Sequence, residues 1–101
     1  MRFSLAVKDG LPENDDLENL AVEIALDGWK LGRQLLGDVS IAREVLFRCL
    51  PVPPYDKRAF GMLLEWKEAK GSDATFQVLY DALCHRLVNR RDLARKYCLV
   101  N

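Results

Sequence analysis

The chain lacks a membrane-spanning stretch: none of its apolar runs approaches the roughly 20 residues that a helix needs to cross a bilayer. The opening Met1-Arg2-Phe3-Ser4-Leu5-Ala6-Val7-Lys8 is too short, and too soon interrupted by charge, to serve as a secretory signal. Both features predict a cytosolic protein. Histidine occurs once, as His85, and cysteine three times, as Cys49, Cys84 and Cys98. No Cys-x-x-Cys or His-x-x-x-His pair is present, and the neighbours Cys84 and His85 point in different directions on a helix, so no metal site is expected. An odd, scattered set of cysteines is also a poor disulfide framework, which favours reduced, structural thiols. Nucleophilic catalysis would need a thiol and an imidazole in contact, with an oxyanion-stabilising environment beside them. A single histidine within a predicted helix does not point that way, with Cys84 expected to be buried and His85 on the surface. No glycine-rich phosphate loop exists either, because Gly28, Gly32 and Gly37 fall at helix ends and at a packing position. The sequence thus predicts neither an enzyme nor a cofactor or small-molecule binder.

What is present fits one soluble domain. At 101 residues, half of them apolar and 30% charged, the chain suffices for a single core. Its net charge is zero but unevenly spread. Residues 1–28 hold seven acids and two bases, a net of −5, whereas residues 85–101 hold five bases and one acid, a net of +4. Bipolar charge of this kind suits head-to-tail self-association or pairing with a similarly bipolar partner. It also arises from plain solvated helix faces.

Glycine and proline divide the sequence into segments with helical rather than strand periodicity. A first helix is predicted to start between Glu13 and Asp16, where acids favour the positive end of the helix dipole. Leu17, Leu20, Ala21, Ile24 and Ala25 give it one buried stripe before Asp27-Gly28 breaks it. A second helix runs from about Trp29 to Leu36 and closes on Gly37. A third is expected over Val39 to Leu50, using Ile41, Ala42, Val45, Leu46 and Cys49. Pro51-Val52-Pro53-Pro54 ends it. A fourth, from about Asp56 to Lys70, carries Ala59, Phe60, Met62, Leu63, Leu64 and Trp66 over a wide arc, which marks it as central. Gly71 ends it, and Ser72 or Asp73 starts a fifth helix that buries Phe76, Leu79, Tyr80, Leu83 and Leu87. Asn89 is the expected N-cap of a sixth, with Leu93, Ala94 and Tyr97 turned inward. Trp29 and Trp66 are both expected in the core. Six short helices with brief connections make an all-α antiparallel bundle. Phe3, Leu5 and Val7 alternate as a short extended arm would.

Two stretches go further than periodicity. Asp27-Gly28-Trp29-Lys30-Leu31-Gly32-Arg33-Gln34-Leu35-Leu36-Gly37 resembles the second helix of death domains. Leu63-Leu64-Glu65-Trp66-Lys67, then Lys70-Gly71-Ser72-Asp73-Ala74-Thr75 and Leu79-Tyr80-Asp81-Ala82-Leu83, is similar to the fourth helix, turn and fifth helix of that family. Arg90-Arg91-Asp92-Leu93-Ala94 is similar to the start of the sixth, although Arg-x-Asp-Leu also occurs in the sibling death-effector domains. The resemblance covers residues 13–98, leaving residues 1–12 as an N-terminal arm and 99–101 as a C-terminal tail. It implies a six-helix Greek-key bundle that docks onto other death-domain proteins in apoptosis or innate-immune signalling.

The resemblance also implies three kinds of asymmetric contact. In the first, Asp15, Asp16 and Glu18 meet Lys30, Arg33 or Arg43 of a neighbour. In the second, Lys67, Lys70 and Asp73 face Arg90, Arg91 and Asp92. The third uses Arg43 and Arg48. Exposed ion pairs contribute only about 0–1 kcal/mol each, so affinity is expected to come from many pairs acting across an assembly. Two other readings stand beside this one. The domain could serve a scaffold or guidance-receptor protein as a monomeric or autoinhibitory module. Alternatively, the basic stretch from His85 to Lys96 could make a small helical nucleic-acid binder, against which stand the neutral net charge and the lack of interleaved aromatics.

Overall fold

The computed structural model describes residues 6–37 and 54–100. Among these the chain is all-α, with five helices: α1 (Asn14–Ile24), α2 (Gly28–Leu36), α3 (Tyr55–Lys70), α4 (Phe76–Cys84) and α5 (Arg91–Cys98). The helix expected over Val39 to Leu50 lies outside the described residues.

Helix α1 starts where its acids allow. Glu13 is the N-cap, its backbone N–H donates to the Asp16 carboxylate at 3.0 Å, and the two side chains form a reciprocal capping box. Leu17, Leu20, Ala21 and Ile24 are buried as the periodicity predicts, but the helix ends at Ile24 rather than at Asp27-Gly28. Ala25 takes a positive φ of 36°, the chain makes a 3-10 turn over Ala25–Asp27, and Gly28 is already the first residue of α2. Ala25 is consequently only half-buried. Gly37 ends α2 in the left-handed conformation, its N–H donating to the Arg33 carbonyl, as a glycine without a Cβ permits.

Pro54 sets the start of α3, since proline fits the N-terminal boundary of a helix but not its interior. Ala59, Met62, Leu63 and Trp66 are buried along it, and the helix packs on both α1 and α2, which makes it central. At its end Gly71 leads into a second 3-10 turn, Gly71–Asp73. Neither Ser72 nor Asp73 caps the next helix. Thr75 does so, its hydroxyl accepting from the Val78 N–H at 3.2 Å. All three residues can cap, and the intervening 3-10 turn decides which of them reaches the right place.

The predicted fifth helix was three residues too long. Helix α4 stops at Cys84, and the turn behind it is closed by Leu87 N–H donating to His85 Nδ1 and by Arg90 N–H donating to the Leu83 carbonyl. The turn advances the register, so Val88 enters the core at 5% exposure while Leu87 stands 58% exposed. Asn89 is not the cap of α5. It takes a left-handed φ of 52°, a conformation that asparagine tolerates, and Arg90 occupies the cap position. His85 and Cys84 are both half-buried, whereas Cys98 is fully buried, which pushes its thiol up to about 12.

Helix α4 packs on α5 and α2, and α5 returns to α1. Leu17, Leu20, Leu31, Leu63, Leu79, Leu83 and Leu93 meet in one core. Full burial of each such side chain contributes about 1.5–3 kcal/mol before chain entropy is set against it. The N-terminal arm is extended at Val7, which forms an isolated antiparallel bridge with Leu99. Lys8 N–H donates to the Cys98 carbonyl at 2.7 Å, and Val100 N–H to the Ala6 carbonyl at 2.8 Å. Phe3 and Leu5 lie outside the described residues.

A polar clamp joins the first helix to the last. The Glu23 carboxylate accepts from the Tyr97 hydroxyl and pairs with Lys96 Nζ at 2.8 Å. These two bonds, Lys96 first, hold Glu23 below the usual carboxylate range. Burial and the same carboxylate push the Tyr97 phenol up to about 12. A carboxyl group whose pKa is lowered by folding contributes stability above its unfolded pKa, and loses it as pH falls through its folded value. Glu23→Gln is therefore expected to be less stable than wild type at neutral pH. The gap should shrink once the pH drops below the usual carboxylate range, as read from urea midpoints across a pH series. A pH-independent gap would mean that the clamp acts through packing rather than charge.

Candidate protein-interaction surface

No group of three or more His, Cys, Asp or Glu side chains that could hold a metal is found among the described residues, and no helix there is long and apolar enough to cross a membrane. What the surface offers is charge and a few exposed apolar side chains. The charged residues singled out from the sequence divide by whether the fold has already used them.

Several are committed within the chain. Asp16 completes the capping box of α1. Lys67 Nζ donates to Asn14 Oδ1 at 3.3 Å, tying α3 to the start of α1. Lys30 pairs with Asp27 at 3.7 Å and lies over the Trp29 ring, 6.0 Å from its centroid. Arg90 is the most heavily used. One guanidinium nitrogen reaches Asp27 at 3.2 Å and two others grip both oxygens of Asp92. It thus fastens the turn before α2 to the start of α5, and it holds the Asp92 carboxyl below its ordinary value. Removing Arg90 or Asp92 would alter the fold locally before it altered any partner.

Others are uncommitted. Asp15, Glu18, Arg33, Asp73 and Arg91 are exposed, Lys70 is half-buried, and none of their side chains makes a hydrogen bond or ion pair among the described residues. Asp15 and Glu18 stand one turn apart on α1, Arg33 on the last turn of α2, Lys70 and Asp73 at the end of α3 and its turn, and Arg91 at the start of α5. Arg43 and Arg48 lie outside the described residues.

The two tryptophans part company. Trp66 is fully buried, as its periodicity predicts. Trp29 is only half-buried and forms one wall of a groove of about 250 Å³, together with Lys30, Arg33, Gln34 and Leu87. The sequence did not single out Leu87 as a surface residue, because helical periodicity assigned it to the core. Nor did it mark Val22, which is 60% exposed on α1. Val22 carried a signal: an apolar residue off the buried stripe, one turn after Glu18.

Comparison with protein-family models, with curated proteins and with solved structures gives no match to this chain.

Proposed function

We propose that this chain is a homotypic protein-interaction module, with the six-helix Greek-key arrangement of a death domain, that assembles signalling complexes of the cell-death or innate-immune kind. The observation that carries the reading is the placement of the uncommitted charges. Among the described residues, the uncommitted acids Asp15 and Glu18 stand on α1 and Asp73 in the turn after α3, whereas the uncommitted bases Arg33, Lys70 and Arg91 stand on α2, α3 and α5. An asymmetric surface of this kind matches a neighbour presented head to tail rather than the same patch on a second copy, and such contacts build closed rings or open helical assemblies. The resemblance of residues 27–37 and 63–83 to death-domain helices supports the same reading, with other death-domain proteins as partners.

Arg91 is the informative position, because Arg90 beside it has a structural task. Arg91→Glu is expected to leave the thermal midpoint nearly unchanged and to weaken concentration-dependent self-association, or capture of a death-domain partner. The effect should be largest at low salt, where screening is least. Sedimentation velocity over a concentration series checks it. A wild-type chain that stays monomeric and captures no such partner would favour the autoinhibitory scaffold role. Steep salt-dependent binding to a random DNA duplex would favour the nucleic-acid one.

A further inference from the structure

The groove beside Trp29 is walled by two elements that the fold holds in place. Trp29, Lys30, Arg33 and Gln34 come from α2, and Leu87 from the turn behind α4. His85 Nδ1 accepts from the Leu87 N–H and fixes that turn. Leu87 is apolar yet more than half exposed, and Trp29 is only half-buried, so both leave apolar surface open to the groove. The charges along it are unequal in what they have left to offer. Lys30 lies over the Trp29 ring but is engaged by Asp27 at 3.7 Å. Arg33 has no hydrogen bond or ion pair among the described residues, so its guanidinium is the unbalanced charge of the groove. Gln34 adds an amide able to donate or accept.

We infer that the groove is a binding site for a small aromatic carboxylate, with its ring against Trp29 and Leu87 and its carboxylate on Arg33. Size selects a small molecule. About 250 Å³ walled by five residues is just below the range of drug-sized pockets, and far short of the 20 or so residues a side of a stable protein contact. One or two fused rings fill it. The indole selects the ring, because offset stacking adds to what burial of apolar area already contributes. Arg33 selects the acid, since a guanidinium fork matches both oxygens of a carboxylate. The negative end of the α2 dipole opposes an anion near this last turn, but by less than a charge-assisted pair with arginine gains. Periodicity assigned Leu87 to the core, which hid the groove from the sequence.

The site stands whether or not the chain self-associates, and a titration of dilute protein tests it. The two tryptophans each give one indole N–H signal in a nitrogen-15 correlation spectrum, and Trp66 serves as the buried control. Naphthalene-2-carboxylate should move the Trp29 signal to saturation and leave that of Trp66 in place. Naphthalene-2-carboxamide keeps the rings without the charge and should bind about tenfold more weakly, as loss of a charge-assisted bond does. Octanoate keeps the charge without the rings and should also bind more weakly. Arg33→Gln should bring the acid down to the level of the amide, and Leu87→Asn should weaken both. Both positions are exposed, so each variant should keep the dispersed spectrum of the folded chain. The acid and amide comparison on wild type needs no variant at all. A Trp29 signal that does not saturate overturns the site. Equal affinity for acid and amide, or an acid indifferent to Arg33→Gln, overturns the role of Arg33. Octanoate binding as tightly as the aryl acid overturns the aromatic assignment, and an acid indifferent to Leu87→Asn overturns the seat.

Discussion

Trp66→Ala should lose about 3–5 kcal/mol of unfolding stability, while Trp66→Phe should stay within about 1 kcal/mol of wild type. The first figure follows from position. Trp66 is the largest of the fully buried side chains and sits on α3, the helix that packs on both α1 and α2. Truncation would leave a cavity that the close-packed core around it fills only in part. Against a typical domain stability of about 5–15 kcal/mol, such a loss would leave a large unfolded population near body temperature. The second figure follows from chemistry. The Trp66 indole N–H is buried with no hydrogen-bond partner among the described residues, and a buried donor left unsatisfied costs about 1–3 kcal/mol. Phenylalanine forfeits some apolar area but removes that cost. Chemical denaturation of the two variants side by side checks both figures. A phenylalanine variant as unstable as the alanine one would show that the full indole shape, not its apolar bulk, is what the core needs.

The second large effect is expected at Gly28. A Cβ placed there would lie 2.9 Å from the Ala59 Cβ and 3.4 Å from its Cα, so α2 and α3 approach too closely for any side chain. Gly28→Ala would have to push backbone against backbone, and it is expected to cost about 1–3 kcal/mol. Gly32, one turn on, meets only the Met62 side chain at 3.0 Å. Methionine can move aside, so Gly32→Ala should cost less. Gly61, inside α3, faces nothing within 4 Å among the described residues. Gly61→Ala should therefore stabilise by roughly 0.5–1 kcal/mol through helix propensity alone. Three identical substitutions thus have different expected outcomes, ordered by what stands opposite each one. Thermal midpoints of the three variants test the ordering. The double variant Gly28→Ala with Ala59→Gly should recover part of the loss, because it moves the methyl across the same contact.

These positions also show what the sequence could and could not reveal. The buried stripe of α1, the start of α3 behind Pro54 and the stop at Gly37 were legible because each rests on local chemistry: spacing, a missing N–H, a missing Cβ. The end of α4 was not. Leu87 continues the apolar period of Phe76, Leu79 and Leu83, and only the bonds of the His85 turn show that the helix has already stopped. Asn89 suits both an N-cap and a left-handed turn, so composition could not choose between them. The candidate surface was legible as charge but not as commitment. Arg90 and Arg91 read alike as adjacent bases, yet Asp27, 63 residues away in sequence, takes Arg90 out of the surface and leaves Arg91 on it. The sharing of Glu23 by Lys96 and Tyr97 is hidden from sequence reasoning for the same reason.

The bridge between Val7 and Leu99 bears on how the domain would respond to mechanical load. The two short segments run antiparallel, with the Val100–Ala6 bond outermost and the Lys8–Cys98 bond behind it. Tension applied through residues 6 and 100 would therefore peel these bonds apart one after the other instead of shearing them together. Peeling loads one bond at a time, so the bridge would open under a small force while the helices still carried none. The N-terminal arm would next strain at Gly10, whose carbonyl accepts from the Phe76 N–H at the start of α4. A domain anchored in this way yields first at its seam and keeps its core, behaving in series with other modules as a soft extensible element before it behaves as a rigid one.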